Sequence, residues 1–155
     1  MVHSEGLDEA KIKRTPASTS VDLTKSERGT REPMLSLVGK IRYAVDHTHP
    51  ECLYIASQLS SAASNPGNDH WNAATYLVLY LKGAMYKGLV LGGKAPINPE
   101  FFVDASYIEH GEARSQIGYC WRISKSAGMV HSKSTKLKDV CLSTAEAELR
   151  GLKEM

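Results

Sequence analysis

The feature that most constrains this chain is a change in the period of its apolar residues. Between residues 33 and 85 large apolar side chains recur every three or four positions, whereas Ile117, Tyr119, Trp121 and Ile123 recur every second one. The first spacing lines one face of a helix, and the second lines one face of a strand. A chain carrying both, in that order, must build helices first and a sheet afterwards.

Within the first stretch, Met34, Val38, Ile41 and Val45 predict a helix from Pro33 to about Asp46. Pro33 suits its first turn, where a missing N–H costs nothing. His47-Thr48-His49-Pro50 interrupts it, and Pro50 opens a second helix with Leu53, Ile55, Ala56 and Leu59 on its apolar face, ending before Asn65-Pro66-Gly67. Asn68 or Asp69 is placed to cap a third helix, along which Trp71, Ala74, Val78 and Leu81 share one side as far as Gly83.

Beyond Lys87 the pattern becomes strand-like. Leu89-Val90-Leu91 ends at Gly92-Gly93, and a Pro-rich link from Lys94 to Pro99 leads into Phe101-Phe102-Val103-Asp104. The alternating run at 117–124 pairs with Met129 to Ser132 across the turn from Ser124 to Gly128. Ser143 followed by Glu146 makes a capping box for a last helix, with Ala145, Leu149 and Leu152 as its expected inner face. The fold class is therefore mixed, α+β or α/β: a helical segment, then three antiparallel strands and a helix. Three regions are expected: a polar, mobile lead-in at 1–31, a helical region at 32–95 and a sheet region at 96–155.

With 42% hydrophobic and 23% charged residues among 155, the chain can fold without a disulfide or a structural metal. A net charge of +2 is too small to identify a nucleic-acid binder by itself. Cys52, Cys120 and Cys141 are odd in number and lack a CxxC spacing, and the first residues hold no apolar signal core. These features predict an intracellular protein, cytoplasmic or nuclear. No apolar run approaches the ~18 residues of a membrane helix, so no membrane association is expected.

Two acidic residues stand out chemically. Asp104 closes an apolar strand, and Glu148 borders the expected inner face of the last helix, while Glu146 points away from it. A strand Asp beside a helix Glu offers the oxygen ligands that Mg²⁺ accepts together with substrate phosphate, although ordinary surface acids are the plain alternative. Arg122, Lys125, Lys133, Lys136 and Lys138 face only Asp139 between residues 121 and 140. That excess would attract a phosphate backbone, or it is simply a solvated basic hairpin; no aromatic platform is expected between the lysines. His47, His49 and Cys52 carry metal-capable groups, but without a fourth ligand they read as an interhelical turn.

These residues, in this order, resemble the C-terminal part of the Pol polyprotein of copia-type LTR retrotransposons, from the end of reverse transcriptase into ribonuclease H. Lys13-Arg14-Thr15-Pro16 resembles the connection segment. Leu37-Val38-Gly39-Lys40-Ile41-Arg42-Tyr43 with Thr48-His49-Pro50-Glu51 is similar to V-G-x-L-x-Y … T-R-P-D, with His49 in place of Arg and Glu51 in place of Asp. His70-Trp71-Asn72-Ala73-Ala74 and Leu79-Tyr80-Leu81-Lys82-Gly83 match H-W-x-A … R-Y-L-K-G, with Thr75, Tyr76 and Leu79 where the family has basic residues. Phe102-Val103-Asp104-Ala105, Ser115-Gln116-Ile117-Gly118-Tyr119 and Leu142-Ser143-Thr144-Ala145-Glu146-Ala147-Glu148-Leu149 resemble Y-S-D-A, S-T-S-G-Y and L-S-S-T-E-A-E-Y.

The resemblance implies that Asp104 and Glu148 are metal ligands and catalytic residues of a ribonuclease H-like domain. Mg²⁺, with Mn²⁺ as a substitute, would be the cofactor and an RNA–DNA hybrid the substrate. The rest of a Pol polyprotein would be a further partner. The family's remaining aspartates correspond to positions beyond Met155, and its polymerase aspartates to positions before Met1. The chain is therefore expected to be inactive alone, both as nuclease and as polymerase. Two other readings stay open: a non-catalytic nucleic-acid-binding module using Arg122 to Lys138, and a helical interaction protein with a disordered sheet remnant.

Overall fold

The structure is a computed structural model, and it describes residues 6–7, 9–18, 23, 29, 32–92, 96–106, 115–137, 140–141 and 143–153. Its described elements are four helices and a three-stranded antiparallel sheet, a mixed α/β fold. No described helix is long and apolar enough to cross a membrane. The chain divides into two compact units, Met1–Gly88 and Leu89–Met155.

The first unit is helical. Helix α1 spans Met34–Thr48, and buries Met34, Leu37, Val38, Ile41 and Val45, one face at helical spacing. Pro50–Cys52 form a short 3-10 turn rather than the first turn of an α-helix; helix α2 then spans Leu53–Ala62 and buries Leu53, Ile55, Ala56, Leu59 and Ala62. Helix α3 spans Asn68–Gly83 and contributes Ala74, Leu77, Val78 and Leu81 to one core shared by all three helices. Its N-cap is Gly67, not Asn68 or Asp69, because the fully buried His70 does the capping. The Gly67 N–H donates to His70 Nδ1 at 3.1 Å, which satisfies a buried backbone donor.

The described part of the lead-in runs along α3. Lys82 Nζ donates to the carbonyls of Leu7 and Ala10, both at 3.1 Å, and the Lys13 N–H donates to the Leu79 carbonyl at 3.3 Å. Lys13 Nζ also lies 5.0 Å from the centre of the Tyr76 ring, whose hydroxyl is 3.0 Å from Thr15 Oγ1.

In the second unit, strands β1 (Glu100–Ser106), β2 (Gln116–Arg122) and β3 (Met129–Lys136) pair in that order, antiparallel throughout. Asp104 sits opposite Gly118, Val103 opposite Tyr119, and Trp121 opposite His131, with an irregularity at Trp121/Arg122. The turn from Ser124 to Gly128 joins β2 to β3 as the sequence predicts, and β3 runs four residues further than the predicted Ser132. Leu89-Val90-Leu91 is not a strand: three apolar residues make only one backbone bond to the hairpin, the Gly128 N–H donating to the Val90 carbonyl at 2.7 Å.

Helix α4, Thr144–Lys153, starts at Ser143, whose Oγ accepts the Glu146 N–H at 3.2 Å. It packs on β1 and β2 through Ala147 and Gly151, not through Leu149, Leu152 and Ala145. A Cβ at Gly151 would stand 3.1 Å from Val103 Cγ2 and 3.6 Å from Ile117 Cγ2. The small residues let the helix approach closely, which turns the leucines outward; Leu149 is 67% and Leu152 53% exposed.

Candidate functional site

Strand alternation sorts the second unit's side chains onto two faces. Val103, Ala105, Ile117 and Tyr119 lie on the α4 side, where Ala105 and Ile117 share a core with Leu137, Cys141 and Ala147. Asp104 and its partner Gly118 therefore belong to the opposite face, together with Phe102, Cys120 and Arg122. Glu148 follows the buried Ala147 on α4, and both carboxylates are exposed. Asp104 thus points away from the side of the sheet on which Glu148 rides. β1 is an edge strand in the sheet order, so the open side of β1 is the route by which the two could meet.

Among the described residues there is no group of three His, Cys, Asp or Glu side chains able to hold a metal ion. Two exposed carboxylates starting from opposite sides of a sheet do not fit a two-ion centre, whose ions sit about 3.5–4 Å apart and share ligands.

The predicted basic hairpin does not form one patch. Arg122 is tied to Glu100, its Nε donating at 2.7 Å and its Nη2 at 2.6 Å to the same carboxylate oxygen, and its guanidinium lies 5.4 Å from the centre of the Phe102 ring. Lys136 pairs in register with Gln116 on the Asp104 face, whereas Lys133 pairs with Tyr119 on the other. Lys125 is exposed in the turn between them, and Lys138 lies outside the described residues.

The sequence reading missed the rings, and its expectation that no aromatic platform interleaves the lysines is corrected by the strand register. Phe101 and Trp121 stack with centroids 6.0 Å apart, and Tyr119 and His131 sit 5.7 Å apart, with Lys133 Nζ 6.0 Å from the Tyr119 ring centre. Tyr119 and Trp121 are two apart in β2, which was a legible signal. Their neighbours Phe101 and His131 come from other strands, which only the register supplies.

The His47, His49 and Cys52 trio is an interhelical turn with separate duties. His47 Nδ1 lies 2.8 Å from the Tyr43 carbonyl, and His49 Nδ1 lies 3.1 Å from Glu51 Oε1, which also accepts the Tyr80 hydroxyl at 3.0 Å. Burial, reinforced by the Glu51 charge, pushes the Cys52 thiol up to about 12, so it remains protonated and a poor metal ligand at neutral pH. Burial also raises Cys120, against the lowering pull of Arg122. All three cysteines are free of disulfides.

No family model matches the chain, and neither does any solved structure. Relatives among known proteins are informative. Over 152 residues, 92% of this chain, it is 31% identical to 11% of the retrovirus-related Pol polyprotein from transposon TNT 1-94 of Nicotiana tabacum. Over 148 residues, again 92%, it is 30% identical to 10% of the corresponding polyprotein from transposon RE2 of Arabidopsis thaliana. The chain therefore spans about a tenth of the length of these polyproteins. It is also 32% identical over 123 residues to secreted RxLR effector protein 161 of Plasmopara viticola, matching 79% of this chain and 85% of that protein. Matches this long within 155 residues must overlap, so one stretch of sequence is common to all of them. The chain belongs to one family with that effector protein, and the stretch they share is similar to a segment of retrotransposon Pol polyproteins.

Proposed function

We propose that residues 96–155 are the front of a ribonuclease H-like unit and that this chain engages RNA–DNA hybrids without cleaving them unaided. The observation carrying this reading is the path of α4, which leaves the end of β3 and packs back across β2 onto β1. It brings a helix bearing Glu148 to the edge strand bearing Asp104, in the order strand, strand, strand, helix. On the outer edge of β1 a further strand, from the rest of a Pol polyprotein, could pair by backbone hydrogen bonds. Lys136, on the Asp104 face, and Lys125, in the turn, supply phosphate contacts, while Arg122, held by Glu100, braces the strand ends.

The test is an end-labelled hybrid incubated with the folded chain in Mg²⁺ and separately in Mn²⁺, with Asp104→Asn alongside. Retention without cleavage is expected, with a flatter salt dependence when Lys125 and Lys136 are both replaced by Ala. Metal-dependent cleavage lost in Asp104→Asn would overturn the claim of inactivity. Failure to retain the hybrid at low salt would overturn the binding half.

A further inference from the structure

The face of the sheet that carries α4 is covered only in part. Val103, Ala105 and Ile117 lie beneath Ala147 and Gly151, whereas Phe101 is 59% exposed, and Trp121 and Tyr119 are half-buried beside the exposed His131 and Lys133. The open part therefore presents three aromatic rings, one imidazole and one ammonium group on a rigid surface.

The faces also differ in charge. On the ring side, β1–β3 contribute Phe101, Val103 and Ala105, then Ile117, Tyr119 and Trp121, then His131, Lys133 and Thr135, a set without a single carboxylate. Both strand acids, Glu100 and Asp104, belong to the other face. Rings beside a lysine, on strands without an acid, complement a polyanion that carries flat apolar groups; the acids on that side belong to α4, where Glu146 pairs with Arg150 and Glu148 is exposed.

From this we propose that Phe101, Trp121, Tyr119 and His131 form a stacking platform for the bases of single-stranded nucleic acid, with Lys133 meeting its phosphates. The two ring pairs, Phe101–Trp121 and Tyr119–His131, are offset by two residues along β2, about 6.6 Å at the usual strand rise. An extended strand can bridge that offset between successive bases once they unstack. A fully paired hybrid offers no free base face, so this site does not rest on the hybrid reading and takes a different ligand. Stacking is indifferent to base identity and to the 2′-hydroxyl, so single-stranded DNA and RNA should bind alike.

The test uses the full chain and fluorescein-labelled dT12 and rU12, read by anisotropy and by quenching of Trp121, with the paired hybrid run in parallel. Phe101→Ala and Trp121→Ala should each weaken both oligonucleotides about tenfold or more, with the salt slope unchanged. Trp121→Phe, which keeps a ring, should restore most of the affinity, guarding against a variant that fails through misfolding. Lys133→Ala should instead flatten the salt slope by about one phosphate contact. Wild-type affinity in both Phe101→Ala and Trp121→Ala, with unquenched Trp121 in the wild type, would overturn the platform, as would binding of rU12 alone. Loss of hybrid binding with dT12 binding retained would sink the hybrid reading and leave the platform standing.

Discussion

The two units solve the burial problem differently. In Met1–Gly88, three helices turn continuous apolar faces toward one another, and the shared core includes Leu37, Ile41, Leu59, Leu77 and Val78 at 1% exposure or less. In Leu89–Met155, the core is Ala105, Ile117, Leu137, Cys141 and Ala147, of which only Ile117 and Leu137 are large aliphatics. The sheet unit consequently leaves Phe101, Phe102, Leu149 and Leu152 in solvent. A helix bundle closes its core with the elements it has, whereas a three-stranded sheet with one helix covers one face in part and leaves an edge open.

Each unit contains one of the two tryptophans, Trp71 and Trp121, so the comparison can be read unit by unit from single-tryptophan fluorescence. The largest effects should come from core truncation. Leu59→Ala and Ile117→Ala, both at fully buried positions, should each cost about 2–5 kcal/mol. The first should lower the urea midpoint reported by Trp71, and the second should abolish the transition reported by Trp121, because the smaller core has less to lose. If both tryptophans respond to either substitution, the units are not independent and the contrast breaks.

Gly151→Leu should come next, at about 1–3 kcal/mol, since even a Cβ there presses on Val103 and the larger side chain must lever α4 away. Trp121 should report it and Trp71 should not. An unchanged Trp121 transition would mean that the close approach of α4 contributes little. In the helical unit, His70→Ala should cost about 1–2 kcal/mol by leaving the Gly67 N–H without its acceptor, a loss visible as faster amide exchange at the start of α3.

The smallest effect is alkaline. Cys52 is pushed up to about 12 by burial and then by Glu51, and Tyr80 also rises to about 12, chiefly through burial and its bond to Glu51. The unfolded chain releases the thiol proton near 9.0 and the folded chain later, so this stabilisation is complete below that pH and is lost as pH rises toward 12. The Trp71 midpoint should fall across that window, less steeply in Cys52→Ala. An identical slope in the variant would remove Cys52 as a cause.

The helices of the first unit were legible because each carries a long apolar face with a helical period, and the hairpin because Ile117 to Ile123 alternate. Helix α4 is legible in place but not in facing, since Ala147 and Gly151 are buried where the sequence suggests Leu149 and Leu152. Leucines outrank Ala147 and Gly151 on any hydrophobic scale, yet close approach to a sheet selects small side chains, and closeness is a property of the packed pair. His49 and Glu51, the two departures from the family's T-R-P-D pattern, are partners across one turn, a contact hidden when each is read as a separate loss.

By itself the sequence determined the order of elements, the capping of α4 by Ser143 and the similarity of the chain to a segment of Pol polyproteins, because periodicity, caps and motifs are local and survive without a fold. Tertiary structure decided which groups share a surface. Strand register sent Asp104 to one face and gathered Phe101, Tyr119, Trp121, His131 and Lys133 on the other; it also divided a basic run that looks continuous along the chain. The physical reason is that a pleated strand reverses its side chains at every residue, so neighbours in sequence become strangers in space and cross-strand residues become neighbours.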